Sequence, residues 1–100
     1  MTEYLIANSV LEAIVRGALE SDERIRFHSP LPLVKGRGVE VAVEGEECRV
    51  TVHVQARFGE FLPSLADEIR RKVAGALGHM TGLAVTAVDV VVSGVFPVES

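Results

Sequence analysis

The chain has 100 residues, 48% of them hydrophobic and 24% charged, with nine Gly and four Pro, which describes one small globular domain rather than two domains or a disordered tail. Ten Lys+Arg stand against fourteen Asp+Glu, a formal charge of −4, which argues against a generic binder of polyanions. One Cys excludes an internal disulfide framework and a Cys-rich zinc site, and no apolar run reaches the ~18–20 residues that span a bilayer.

The opening Met1-Thr2-Glu3-Tyr4-Leu5-Ile6-Ala7-Asn8 lacks the basic region and long apolar stretch of a secretion signal. The expected compartment is therefore the cytoplasm. Tyr4 to Ala7 reads as a short extended segment. Ser9-Val10-Leu11-Glu12 has the S-x-x-E form of a capping box, which predicts a helix start there. Val10, Leu11, Ile14, Val15, Ala18 and Leu19 recur at steps of three and four, one face of a helix over residues 10–21.

From Asp22 to Gly38 the periodicity breaks. Pro30, Pro32, Gly36 and Gly38 punctuate the stretch, and Arg24, Arg26, Lys35 and Arg37 have no carboxylate between them. Arg24-Ile25-Arg26-Phe27-His28 alternates weakly, as a short strand would; the rest reads as loop.

Val39, Val41 and Val43 alternate with Glu40, Ala42 and Glu44, and Val50, Val52, Val54 and Ala56 alternate with Arg49, Thr51, His53, Gln55 and Arg57. Period two is the mark of strands with one buried face. The short Gly45-Glu46-Glu47 connector makes them an antiparallel hairpin.

Gly59 ends the second strand, and Pro63 suits the first position of a helix, where a missing N–H costs nothing. Leu62, Leu65, Ala66, Ile69, Val73, Ala76, Leu77 and Met80 form the apolar stripe of a helix over 63–80. Its acidic residues come early and its basic ones late, in the sense of the helix dipole, and Gly82 is the expected stop.

The last strand, 84–95, puts Val88, Val90 and Val92 on one face and Val85, Ala87, Asp89, Val91, Ser93 and Val95 on the other. Such a half-apolar second face fits either a central strand covered on both sides or a face that meets another subunit. The strand 48–57, helix 63–80 and strand 84–95 unit is expected to be a right-handed crossover with parallel strands. The predicted fold is thus one α+β domain over residues 1–100, of order α-β-β-α-β. Its mixed three- to four-stranded sheet carries both helices on one face, and 22–38 is an atypical loop.

Phe58-Gly59-Glu60-Phe61-Leu62-Pro63, then Met80-Thr81-Gly82-Leu83-Ala84-Val85, then Val88-Asp89-Val90-Val91-Val92-Ser93-Gly94-Val95 form an ordered series. It resembles the bacterial alkaline shock protein family, also called the envelope stress response family. That family has an aromatic-Gly-x-x-hydrophobic-Pro turn, an amphipathic helix, a Met-Thr-Gly-Leu-type turn and a final Val-Asn-Val-x-Val-x-Gly-Val strand. Ile6 to Val15 is similar to its opening helix and Gly38-Val39-Glu40-Val41 to the start of its hairpin. Asp89 stands where the family usually has Asn, and Phe58 where Tyr is commoner; residues 20–35 depart from its glycine-rich pattern. The resemblance implies a non-enzymatic cytoplasmic scaffold or adaptor of the envelope stress response, without catalytic residues or cofactor. It also implies self-association and a small membrane-anchor partner at the inner face of the cell membrane, with no direct insertion.

Other chemistry finds less support in the residues. His28, His53 and His79 match no standard metal-ligand spacing, and Cys48 and His53, five apart on one strand, point to opposite faces; no metal site is expected. Cys48 beside Arg49 lacks an evident base, and His79 suits a helix end. Asp89 is read as a solvated or subunit-facing acid within reach of Arg49 or Arg57, rather than a general acid or base. Lys35-Gly36-Arg37-Gly38 is not the Gly-x-x-Gly loop of a KH domain. Arg70-Arg71-Lys72 reads as a solvated helix face, with anionic lipid as the alternative. The expected interaction face is Arg49, Thr51, His53, Gln55, Arg57, Asp89 and Val91, open if both helices cover the other side. The alternative reading is an RNA-binding module of KH-like shape centred on Lys35, Arg37, Arg57 and Arg70.

Overall fold

The computed structural model describes residues 5–28 and 38–98. In chain order they form α1 (Asn8–Leu19), β1 (Ile25–Phe27), β2 (Val39–Glu44), β3 (Glu47–Arg57), α2 (Leu62–Thr81) and β4 (Ala84–Phe96). The α+β arrangement is as expected, and the weakly alternating segment after α1 supplies the fourth strand, β1. Tyr4 of the expected extended segment, and Pro30 and Pro32 of the expected loop, lie outside the described residues.

β3 is the centre of a mixed sheet. β1 and β2 both pair antiparallel with it, and β4 pairs parallel with it. β1 meets the Val54–Ala56 stretch of β3 and β2 the stretch before it, so the two follow one another along one edge. His28 and Gly38 both meet that edge opposite a single residue, His53. The His28 N–H donates to the His53 carbonyl (2.9 Å), and the His53 N–H donates to the Gly38 carbonyl (2.7 Å). Gly38 has φ +89°, and a Cβ there would stand 2.7 Å from the His28 carbonyl oxygen, so only glycine fits.

Period two on β3 and period 3.6 on the helices meet in one core. Cys48, Val50, Val52, Val54 and Ala56 point to one side, and Leu11, Val15 and Leu19 of α1 and Leu65, Ile69, Val73 and Leu77 of α2 close over them. α1 lies against β2, and α2 lies against β4 and α1. The ends of the predicted stripes overhang this core: Leu62 and Val10 are exposed, and Met80 is 66% exposed.

Several local expectations are corrected. α1 begins two residues before its predicted start, with Ala7 as N-cap and no side-chain cap, so Ser9 lies inside the first turn and forms no capping box. Asn8 instead ties the helix to the sheet, its Nδ2 donating to the Val41 carbonyl (3.2 Å). α2 begins at Leu62 and carries no acid in its first turn; Asp67 and Glu68 lie too far along to feel the full N-terminal dipole. Its stop is as expected, with Gly82 left-handed at φ 74° and its N–H donating to the Gly78 carbonyl (3.0 Å).

β4 departs from strict alternation. Its register slips opposite Cys48/Arg49 and again opposite Val54/Gln55, leaving Thr86 and Ser93 as extra residues. Each bulge switches the face that later residues present. Val85 therefore aligns with buried Cys48 and packs on the core, and Val95 aligns with Ala56. Of the expected second face, Ala87, Asp89 and Val91 remain. Among the described residues β4 pairs with β3 alone, which makes it an edge strand and sets aside the doubly covered central strand.

Candidate functional site

The odd-numbered residues of β3, Arg49, Thr51, His53, Gln55 and Arg57, lie opposite the helices because their even-numbered neighbours fill the core. Residues in direct register share a face. Ala87, Asp89 and Val91 of β4 align with Arg49, Thr51 and His53, so all seven predicted residues lie on one helix-free surface. Val91 is 40% exposed.

The other strands add residues that the sequence did not mark. Ala42 and Glu40 of β2 align with Arg49 and Thr51, and Arg26 of β1 with Gln55. Past the second bulge, Phe96 aligns with Arg57 and carries the Arg26 guanidinium over its ring at 4.1 Å, a cation–π contact. The alternation of Glu40 and Ala42 with the β2 valines is the signal that could have placed them here. Arg26 and Phe96 have no such signal, since their placement needs the pairing of β1 and the bulge in β4.

The charges on this face are ordered along the strands. Glu44 and Glu47 stand opposite one another at the hairpin end. Next comes Arg49 between Ala42 and Ala87, then Thr51 between Glu40 and Asp89, then His53 beside Val91. Arg57 stands at the far end, where its Nε and terminal nitrogen donate to Glu60 Oε2 at 3.2 and 2.8 Å. The register, with Arg57 opposite Phe96 and Asp89 opposite Thr51, sets the two too far apart along the sheet to pair. Among the described residues Asp89 forms no ion pair with either arginine expected to reach it; its register places it across from Thr51 instead.

The histidines and the cysteine are kept apart. Cys48 is buried under the helices, where burial pushes its thiol pKa up, while His53 is on the open face. His79 sits in the last turn of α2. Among the described residues no three His, Cys, Asp or Glu side chains could hold a metal ion together. Of the basic helix run, Arg70 donates through Nε to the Val88 carbonyl of edge strand β4 (3.2 Å) and pairs with Asp67, and Lys72 reaches Asp22. Lys35, Gly36 and Arg37 of the predicted basic loop lie outside the described residues. No described helix is long and apolar enough to cross a membrane.

Comparison with known proteins bears on the same region. The family model of the alkaline shock proteins, described as having a "cell envelope-related function", matches residues 32–97, which hold the hairpin, α2 and β4. The chain is 32% identical over 59 residues to the "Uncharacterized protein YloU" of Bacillus subtilis (strain 168). That match covers 59% of this chain and 49% of the relative, so the chain spans about half the length of the curated protein it matches. No solved structure matches. With about two-thirds of its length matched, and with the turn, helix and final strand that suggested the resemblance inside the match, the chain belongs to this alkaline shock protein family, whose function is cell envelope-related.

Proposed function

We propose that the chain is a non-enzymatic scaffold or adaptor of the envelope stress response, acting from the cytoplasm at the inner face of the cell membrane. In this reading it self-associates and binds a membrane-anchor partner, and it does so by surface shape and charge. The observation that carries the reading is the helix-free sheet face. Arg49, Thr51, His53, Gln55, Arg57, Asp89 and Val91 share it, with Ala42 and Ala87 keeping it low and Val91 exposed. A helix-free face that carries both signs of charge and an exposed valine suits docking of a second protein surface of complementary charge. The family's cell envelope-related function supports the place of action.

The test is fractionation of source cells carrying the tagged chain, with membranes retained, beside Val91→Glu. A carboxylate at an exposed position leaves the core intact and puts a desolvation cost on any partner covering the face. The wild type is expected in the membrane fraction, and the variant released from it at unchanged thermal stability. Equal retention of both would remove the sheet face from the proposal.

A further inference from the structure

The charges on the open face are self-complementary in one orientation. Arg49 sits between Ala42 and Ala87, and the next outward-facing row, Thr51, is flanked by Glu40 and Asp89. None of these three charged groups has an ion-pair partner among the described residues. Two copies can meet face to face about a two-fold axis in two simple ways. If the axis runs along the strands, each Arg49 meets the partner's Arg49 and Glu40 meets the partner's Asp89, like charge on like. If it runs across the strands, between the Arg49 and Thr51 rows, each Arg49 lies over the partner's Thr51, between the partner's Glu40 and the partner's Asp89. The acidic Glu44/Glu47 row then lies over the partner's His53 row.

Resting on the self-association proposed above, we infer that the partner on this face is a second copy of the chain, packed antiparallel in this second register. The contact is isologous, so each charge pairing occurs twice. Like-charge juxtaposition excludes the parallel register, which is the usual route by which charge patterns fix orientation. The small residues Ala42 and Ala87 beside Arg49 leave room for the partner's longer acidic side chains, which lie over them in this register. Because its charged contacts lie at the surface, the pair weakens as salt rises.

The experiment uses charge reversal in two full-length variants, Arg49→Glu and the double variant Glu40→Lys, Asp89→Lys. All three positions are exposed, so both variants fold as the wild type does, checked by circular dichroism. Sedimentation from micromolar to millimolar concentration is expected to show a wild-type dimer. Each variant alone is expected to lose association by about tenfold or more. Combining all three reversals in one chain restores it, since each introduced glutamate then meets the partner's introduced lysines in the antiparallel register, whereas in the parallel register like would still meet like. Wild-type dimers with no rescue in the triple variant would overturn the register while leaving self-association standing. A wild type that stays monomeric throughout would overturn both.

Discussion

Asp22 holds more of the structure together than its place in a turn suggests. Its side chain is 4% exposed. Oδ1 accepts from the Arg24 backbone N–H (3.0 Å) and Nε (2.8 Å), while Oδ2 accepts from an Arg24 terminal nitrogen (2.7 Å) and from Lys72 Nζ (3.2 Å). Arg24 also pairs with Glu68, so one carboxylate clamps the α1–β1 turn onto α2. The Arg24 guanidinium holds the Asp22 carboxyl well below the usual carboxylate range, against a smaller opposing effect of burial. A folded-state pKa below the unfolded one means that the unfolded chain takes up the proton first. The stabilisation is therefore complete above the unfolded value of about 4 and is lost as pH falls through the depressed folded value. Asp22→Asn keeps the size of the side chain but sets an NH2 against one of these donors. It is expected to cost about 1.5–3 kcal/mol at neutral pH. The gap between wild type and variant, read by urea denaturation, should narrow steadily once pH drops below about 4. A gap that stays constant down to pH ~2 would show that the carboxylate charge contributes nothing.

The edge strand facing β3 is one element in two pieces. His28 and Gly38 both bond to His53, and the register continues from Phe27 opposite Val54 to Val39 opposite Val52. Removing residues 29–38 would place Val39 directly after His28. Val39 and His28 then face Val52 and His53, which are adjacent on β3, and the in-out alternation is preserved: Phe27 in, His28 out, Val39 in. The shortened chain is expected to fold with stability equal to or above that of the full chain, because joining two fixed ends through ten residues costs on the order of 2 kcal/mol of entropy. Denaturant unfolding and amide exchange at Val52 and His53 check this, and failure to fold would mean that 29–38 supports the sheet. This is also where the sequence is least legible. β2, β3 and α2 are readable to within a residue or two because their periodicity is local. β1 is three residues long and owes its conformation to β3, while the bulges at Thr86 and Ser93 exist only relative to the β3 register. On the candidate face the β3 residues follow from alternation alone. Arg26 and Phe96 require knowing which strands are neighbours, and that knowledge is not local.

At the scale of the whole molecule, one layer of helices and one sheet share a single core, with no second cluster of buried residues beneath the open face among the described residues. Which face the helices cover follows from the valine pattern; which strand stands in the middle does not, since a Val-rich β4 reads as central until α2 and the pairing put it on the edge. A single shared core has a consequence for cooperativity. Cys48 is 1% exposed at the start of β3, aligned with Val43 on one side and Val85 on the other. Its thiol pKa is raised by burial, so a thiol reagent, which needs the solvated thiolate, must wait for an opening that parts the sheet from the helices. The free energy of that opening is expected to equal the global unfolding free energy from denaturant titration. Ile69→Ala supplies the control. Ile69 is fully buried on α2, and its truncation costs about 2–5 kcal/mol. It should therefore speed labelling of Cys48 by the factor that its loss of stability dictates, although it alters a different element. Rapid labelling that ignores Ile69→Ala would mean that the hairpin opens on its own, and the two layers would then be separate folding units.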